Sequence, residues 1–255
     1  MSCVDAQQNS RRLNGKVALV TGGSRGIGAA IAKRLACDGA QVAFTYVSNA
    51  EKAEDVLDEL EANGSGALAI RADNGDVDAV RAAVAATMKR FGCIDILVNN
   101  AAAGVAGAID QISDVDVDRM LAVNLKGMFV ATREALKGMP RGGRIINIGS
   151  SLSHHTPFPN ASLYALVKGA LASFTRGLAR ELGPRGITIN NVMPGAVDTD
   201  SNPANGPLAT LVLPGVALQR YGKVEEIAAM VAHVASPDAA YMTGTNLIVD
   251  GGLSA

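Results

Sequence analysis

The sequence contains no tryptophan, and only five phenylalanines and four tyrosines occur among its 255 residues. Proteins that bind carbohydrate or single-stranded nucleic acid stack their ligands on aromatic side chains, so this scarcity argues against both classes. A surplus of positive charge is also lacking, because 23 Lys and Arg stand against 24 Asp and Glu. Nucleic acid is therefore not expected as a partner.

Cysteine is scarce as well, with only Cys3, Cys37 and Cys93, whose odd number and spacing fit neither a disulfide framework nor a metal site. Long apolar runs without charge or glycine are missing, so no membrane-spanning segment is expected. Residues 1–12 lack the apolar stretch of a signal peptide. These features predict a cytoplasmic protein in a reducing compartment, with a flexible N-terminus over residues 1–13.

Short apolar runs alternate along the chain with longer segments of helical periodicity. The predicted strands are 16–20, 41–46, 67–72, 94–98, 144–148, 187–192 and 246–249. The predicted helices are 27–38, 50–62, 77–91, 115–137, 163–182 and 224–235. This alternation is typical of the α/β class with a doubly wound parallel sheet. Residues 14–255 are therefore predicted to form one Rossmann-type domain of about seven strands.

One segment, residues 198–221, interrupts this alternation. It carries Pro203, Pro207 and Pro214 among several leucine and valine side chains. A connection of this length inside a compact domain is usually functional, and its apolar content argues against simple disorder. We therefore predict that the segment is a lid over a substrate site.

The run Thr21-Gly-Gly-Ser-Arg-Gly-Ile-Gly28 lies between the first predicted strand and the first predicted helix. Glycine at such a turn allows the backbone to approach a pyrophosphate, which the free N–H groups and the dipole of the helix N-terminus attract. The context of strand, turn and helix therefore predicts a dinucleotide-binding turn.

Tyr164 and Lys168 lie four residues apart in a predicted helix, so their side chains share one face. A nearby cation stabilises a phenolate, and we expect Lys168 to lower the pKa of Tyr164 from its usual value of about 10. The pair therefore predicts a proton donor adjusted toward neutral pH.

Taken together, the order of these motifs resembles that of the short-chain dehydrogenase/reductase family over about residues 14–252. The motifs are Thr21 to Gly28, Asn99-Asn-Ala-Ala102, Asn124, Ser150, Tyr164 with Lys168, Pro194-Gly-Ala-Val-Asp-Thr199, Tyr241-Met-Thr-Gly244 and Asp250-Gly-Gly252. The resemblance implies a homotetramer built on the two long helices that contain Asn124 and Tyr164. Within the family, the chain is most similar to reductases of 3-oxoacyl thioesters and to related ketoreductases.

The resemblance also implies catalytic roles. Tyr164 would exchange a proton with the substrate oxygen, and Lys168 would lower the pKa of Tyr164 and hold the nicotinamide ribose. Ser150 would hydrogen-bond the carbonyl, and Asn124 would position a water in a proton relay. Ser151 stays open as the alternative to Ser150, since it lies thirteen rather than fourteen residues before the tyrosine, the commoner family spacing.

NADP(H) is the expected cofactor, because the second predicted strand ends at Tyr46 without the carboxylate that binds the ribose of NAD. Arg25 would meet the 2'-phosphate, with Ser48 and Asn49 as further donors. Asp73 matches an adenine contact of the family, or caps a turn. The predicted cofactor-binding residues are Gly22, Ser24, Arg25, Gly26, Ile27, Gly28, Tyr46, Ser48, Asn49, Asp73, Asn100, Ala101, Tyr164, Lys168, Pro194, Gly195, Val197 and Thr199.

The expected function is therefore NADPH-dependent reduction of a ketone, formally reversible as a secondary alcohol dehydrogenase. The alternatives are a sugar or polyol dehydrogenase on the same scaffold and, from another class, a sensor that binds NADP without turnover. Arg141 and Arg185 are candidates for docking an acyl-carrier protein. No metal is predicted, since His154 and His155 lie in a predicted loop without a third ligand.

Overall fold

The computed structural model describes residues 11–255, which form an α/β structure around one seven-stranded parallel sheet. The strands are β1 Val17–Val20, β2 Gln41–Tyr46, β3 Ala67–Arg71, β4 Ile96–Asn99, β5 Arg144–Ile148, β6 Thr188–Pro194 and β7 Asn246–Val249. Their order is β3-β2-β1-β4-β5-β6-β7, so the direction of winding reverses between β1 and β4. The predicted fold class is confirmed.

Helices cover both faces of the sheet. They are α1 Gly26–Cys37, α2 Ala50–Ala62, α3 Val77–Phe91, α4 Asp114–Leu121, α5 Met128–Ala135, α6 Ser162–Leu182, α7 Ala209–Val212 and α8 Val224–Ala235. One core cluster joins the sheet to α1, α2 and α8, and another joins it to α3, α5 and α6. Because both faces are covered, the central strands β1 and β4 are buried at every residue.

The predicted helix 115–137 is the main departure from the sequence analysis. The chain is helical there, but a π-helical turn, Ala122–Gly127, separates α4 from α5. A buried contact accompanies this turn: the Asn74 side-chain amide donates to the Val123 carbonyl at 2.7 Å. A Cβ on Gly127 would lie 1.9 Å from the Asn74 carbonyl oxygen, so only glycine permits this approach. The contact depends on the fold and is invisible in helical periodicity.

The segment predicted as a lid, residues 198–221, contains a short helix that the sequence analysis missed, α7. Val212 and Val216 are buried against Leu253 near the chain end, while Leu208 and Leu211 remain about half exposed. The segment therefore has an apolar anchor on one side and an exposed apolar side on the other.

At the other end of the chain, residues 1–10 of the predicted flexible terminus lie outside the described residues. Leu13 is buried in the core and its N–H donates to the Asp38 carbonyl. Cys37 is disulfide-bonded, which the odd cysteine count did not predict, whereas Cys93 has a free thiol. Within residues 11–255, no helix is both long enough and apolar enough to cross a bilayer.

Candidate active site

A cavity of about 530 Å³ opens at the carboxyl ends of the central strands, where the winding of the sheet reverses. This is the position at which open α/β sheets bind their ligands. The cavity wall includes all eighteen residues that the sequence predicted to bind a cofactor, and it also includes Ser150. Asn124 does not line the cavity wall, and its surroundings are described below.

The glycine-rich loop forms one wall of the cavity and has no room for side chains. Gly22 has a φ of +67°, a backbone conformation that favours glycine. A Cβ on Gly28 would lie 2.1 Å from the carbonyl oxygen of Gly22. Arg25 is the N-cap residue of α1, and its side chain forms no hydrogen bond with the first N–H groups of this helix. The loop is therefore a cradle for an anionic group.

Asn100 and Ala101, which directly follow β4, hold this glycine-rich loop in place. The Asn100 side-chain amide donates to the carbonyl oxygens of Thr21 and Gly22 at 3.0 and 2.9 Å. In return, the Thr21 hydroxyl accepts hydrogen bonds from the backbone N–H groups of Asn100 and Ala101 at 3.0 Å each. Asn100 thus positions the loop through its side chain.

Asn99 is the last residue of β4, and its side chain belongs to a row of buried polar side chains. Its amide donates to Asn147 on β5 at 2.9 Å and to Thr132 on α5 at 3.0 Å, and the Asn147 amide donates to Thr175 on α6 at 3.0 Å. These contacts tie the central strands to the helices behind them, which is a structural role for Asn99.

Ser150 and Ser151 follow β5 and occupy different environments. Ser150 lines the cavity, and its hydroxyl forms a hydrogen bond with Tyr164 while accepting the Leu152 N–H at 3.2 Å. Ser151 is fully buried, and its hydroxyl has no hydrogen-bond partner within residues 11–255. The geometry therefore brings Ser150 to the tyrosine and leaves Ser151 behind it.

Tyr164 and Lys168 lie one turn apart on α6, with the Lys168 Nζ atom 5.8 Å from the centre of the tyrosine ring. Lys168 is buried and donates to the Ile148 carbonyl oxygen at 2.8 Å. Burial lowers the pKa of its ammonium from 10.5 to about 8, because a charged group is disfavoured away from water. At neutral pH, Lys168 is therefore still protonated in most molecules.

The pKa of Tyr164 corrects the sequence analysis, which expected Lys168 to lower it. Burial of the hydroxyl is the largest influence and raises the pKa above its ordinary value of 10.0, while the hydrogen bond with Ser150 acts in the opposite direction. The helical spacing correctly placed the cation on the same face as the phenol. It carried no information about how deeply the hydroxyl is buried, and burial dominates here. At neutral pH the phenol therefore keeps its proton.

Asn124 lies in the π-helical turn, behind the cavity wall. Its amide nitrogen donates to the carbonyl oxygens of Met120 and Ala103 at 2.9 and 3.0 Å. Its side-chain oxygen is buried and has no hydrogen-bond partner among residues 11–255. A buried acceptor without a protein partner is a site that a water molecule satisfies.

At the far end of the cavity, two ion pairs occur that the sequence analysis missed. Asp73 accepts hydrogen bonds from both terminal nitrogens of Arg119 on α4, each at 3.0 Å, and these bonds lower its pKa although burial alone would raise it. Lys52 on α2 donates to Asp200 at 2.5 Å. Their partners are 46 and 148 residues apart in sequence. No local pattern signals contacts at such separations.

The opposite wall comes from the chain that follows β6. Gly195 packs against Asp250, to which a Cβ at Gly195 would come within 2.6 Å. Val197 forms a backbone bridge with Gly222, and the methyl group of Thr199 faces Gly26 of the glycine loop. The base of the segment predicted as a lid thus lies beside the anion cradle. Among residues 11–255 no cluster of side chains fits a metal ion.

Comparison with known proteins agrees with this architecture. A family model described as enoyl-(acyl carrier protein) reductase matches residues 22–254. A cyclic-di-GMP-binding biofilm dispersal mediator protein of Escherichia coli is 44% identical, covering 94% of this chain and 98% of that protein. A 3-oxoacyl-[acyl-carrier-protein] reductase of Staphylococcus aureus is 39% identical, with coverage of 93% and 98%.

Solved structures give the same result. A short-chain dehydrogenase from Burkholderia cenocepacia, determined in complex with NADP, is 51% identical, superposes with a TM-score of 0.94, and the match covers 96% of this chain and 100% of that one. Sequence, sheet order and cavity therefore agree. The chain belongs to the short-chain dehydrogenase/reductase family of oxidoreductases.

Proposed function

We propose that the protein is an NADPH-dependent carbonyl reductase that acts on ketones, reversibly as a secondary alcohol dehydrogenase. The observation that carries this proposal is the meeting of Ser150, Tyr164 and Lys168 in a cavity whose far wall is a glycine cradle. A proton donor and an anion cradle in one cavity are what reduction of a carbonyl by a dinucleotide requires.

The residues present fit NADP(H). The cradle formed by Gly22, Gly26 and Gly28 admits a pyrophosphate against the backbone, since side chains there would fill the space. The end of β2 presents Tyr46 and Ser48, with no carboxylate, to the same cavity. Arg25 is exposed beside it. NADPH supplies the hydride when bound, and the related Burkholderia structure was solved with NADP.

Tyr164 donates the proton in the reduction. Its raised pKa keeps the phenol protonated at neutral pH, which is the form needed when the carbonyl carbon gains a hydride and the oxygen gains negative charge. That oxygen takes the phenolic proton and becomes the hydroxyl of the product. Ser150 donates a hydrogen bond to the same oxygen and so stabilises the negative charge that develops there.

After the reduction, Lys168 and Asn124 help to return Tyr164 to its protonated form. The ammonium of Lys168 stabilises the phenolate that remains on Tyr164 after proton transfer, because an opposite charge nearby favours the ionised form. The unpaired side-chain oxygen of Asn124 holds a water at the end of a relay that returns a proton to the site. The chain's own groups therefore supply and replace the proton without a nucleophile or a metal.

The substrate class we favour is a 3-oxoacyl thioester or a similar apolar ketone. Leu208 and Leu211 are about half exposed on the segment predicted as a lid, whose first residues line the cavity, and the Staphylococcus relative is named as a 3-oxoacyl-[acyl-carrier-protein] reductase. A sugar or polyol would need several hydrogen-bonding groups in place of these leucines.

Use of a carrier protein is a separate question. Arg141 and Arg185 are exposed neighbours, but they precede β5 and β6 and so lie at the end of the sheet opposite the cavity. A five-residue strand such as β5 spans about 17 Å, and the length of the strand separates these two arginines from the cavity. Arg185 also donates to the Leu136 carbonyl at 2.7 Å, which gives it a structural contact. The proposal therefore includes the thioester and leaves carrier docking as a prediction.

A sensor that binds NADP without turnover is the alternative from another class. It gains some support from the Escherichia coli relative, which is named for binding cyclic-di-GMP. Against it stands the arrangement of Ser150, Tyr164 and Lys168, since a protein that only binds needs no proton donor.

The test is consumption of NADPH by the purified protein with a panel of 3-oxoacyl thioesters, aromatic ketones, ketosugars and an enoyl thioester. We expect turnover with the thioester or aromatic ketones and little with sugars or the enoyl compound. Binding of NADPH without turnover of any ketone would contradict the proposal and favour the sensor. Turnover of sugars alone would favour the polyol dehydrogenase.

A further inference from the structure

Two cations, Lys52 and Arg25, and the carboxylate of Asp200 line the cavity near the end of β2. Lys52 lies in the first turn of α2 and donates to Asp200 at 2.5 Å, and both side chains are about half exposed. The N–H of Lys52 donates to the Asn49 side-chain oxygen, which caps α2 and fixes the position of this turn. Arg25 reaches the same region from the glycine loop.

The carboxylate of Asp200 responds to both cations. Its pKa is lowered, first by the hydrogen bond from Lys52 and then by the charge of Lys52, with a smaller contribution from the charge of Arg25. Within residues 11–255 the Arg25 guanidinium takes part in no ion pair. Asp200 is therefore paired with Lys52 and lies near the charge of Arg25, which has no ion-pair partner among these residues.

Asp200 also connects this cluster to the segment predicted as a lid. It lies in the turn between Thr199 and Asn202, whose backbones bridge each other. Asp198, which precedes this turn, accepts the N–H of Ala204 on its side chain and donates its own N–H to the Gly222 carbonyl at the end of the segment. A movement of Asp200 would therefore also move the base of the segment predicted as a lid.

We propose that Lys52 is a specificity-determining residue for the 2'-phosphate of NADP(H), and that this phosphate displaces the Asp200 carboxylate from it. The inference rests on the proposed preference for NADP(H) and adds a residue that motif spacing did not predict. Lys52, Ser48, Asn49 and Arg25 line the same cavity. Asp200, which is paired with Lys52, also lies near the charge of Arg25, so a phosphate held by Arg25 would lie near the lysine.

Energetics favour the exchange of partners. An exposed ion pair such as that between Lys52 and Asp200 contributes little to stability, so breaking it costs little. A 2'-phosphate carries between one and two negative charges and accepts stronger, charge-assisted hydrogen bonds. Once the phosphate is bound, Asp200 faces an anion and is repelled. Binding therefore releases Asp200 toward the lid.

The experiment measures dissociation constants for NADPH and NADH by calorimetry, and reports their ratio for each protein. Lys52→Gln removes the cation, Lys52→Arg keeps it, and Asp200→Asn removes the competing carboxylate. Lys33→Gln and Glu59→Gln are the matched controls, because Lys33 and Glu59 form another exposed ion pair at 2.7 Å outside the cavity.

We expect Lys52→Gln to reduce the preference for NADPH by about tenfold or more, as loss of a charge-assisted hydrogen bond to phosphate requires, with NADH affinity little changed. Lys52→Arg should retain most of the preference. Asp200→Asn should increase it about threefold or more, because a repulsive charge is lost. Both controls should stay within about twofold of the wild type.

The outcomes separate this inference from the proposed cofactor. A wild type that binds NADH as well as NADPH would refute the NADP preference itself. A wild type that prefers NADPH, with an unchanged ratio in Lys52→Gln, would overturn the role of Lys52 alone. An unchanged or lower preference in Asp200→Asn would overturn the displacement of the carboxylate. Circular dichroism of each variant excludes unfolding as the cause.

Discussion

Replacing Lys168 with methionine should make the protein more stable at neutral pH while it impairs the proposed chemistry. The reason is the burial of the ammonium, which lowers its pKa from 10.5 to about 8. One pKa unit corresponds to about 1.4 kcal/mol, so keeping the charge in that position costs roughly 3 kcal/mol. Methionine has a similar length and no charge, but it gives up the hydrogen bond to the Ile148 carbonyl oxygen, worth about 1 kcal/mol. The net gain is therefore about 2 kcal/mol.

The pH dependence gives a sharper signature of the same cause. Between about pH 8 and pH 10.5, Lys168 is neutral in the folded state and still protonated in the unfolded state. The unfolded state binds more protons there, so the free energy of unfolding of the wild type rises with pH. Lys168→Met lacks this contribution. The advantage of the variant should therefore shrink by roughly 2 kcal/mol between pH 8 and pH 10.

The assay is urea unfolding of both proteins at one fixed concentration, repeated across this pH range. Taking the difference between the two curves cancels the titration of groups that they share. A variant that is less stable than the wild type at pH 7 by more than 2 kcal/mol, or a difference that does not change with pH, would refute the reasoning. Either result would mean that Lys168 is stabilised by its surroundings and bears no burial cost.

Other predictions follow from the geometry of the site. Gly28→Ala should abolish cofactor binding in calorimetry, because its Cβ would lie 2.1 Å from a loop carbonyl oxygen, whereas Gly177→Ala, with open space around it, should bind normally. Ser150→Ala should lower kcat by at least about tenfold, while Ser151→Ala, which removes a buried hydroxyl without a partner, should keep activity and stability; the reverse order would assign the role to Ser151. Hydrogen exchange across residues 201–216 should slow when cofactor and ketone are both added, and unchanged exchange would count against a lid.

The regular parts of the fold could be predicted from the sequence because the sheet is covered on both faces. Strands buried throughout, such as β1, appear as continuous apolar runs between turn residues, and every strand boundary lies within two residues of its predicted place. The glycine cradle was also predictable, since the need for glycine is local to the turn. These features depend on neighbours in sequence.

Features that depend on distant neighbours were missed. The π-helical turn exists where Asn74 meets Val123, 49 residues away. The pKa of Tyr164 was predicted with the wrong sign, because helical spacing gives proximity to Lys168 but no measure of burial. The pair of Lys52 and Asp200 joins α2 to the chain after β6, which only the folded structure brings together.

The most direct test of the account is the single-turnover rate of ketone reduction by NADPH in the wild type and in Tyr164→Phe, with the dissociation constant of NADPH measured for both. The phenylalanine variant keeps the ring that packs in the site and loses only the proton donor. We expect unchanged cofactor affinity and a rate at least about 100-fold lower, the loss typical of a missing general acid. A variant that retains more than about a tenth of the wild-type rate, with cofactor still bound, would contradict the claim that Tyr164 protonates the substrate oxygen.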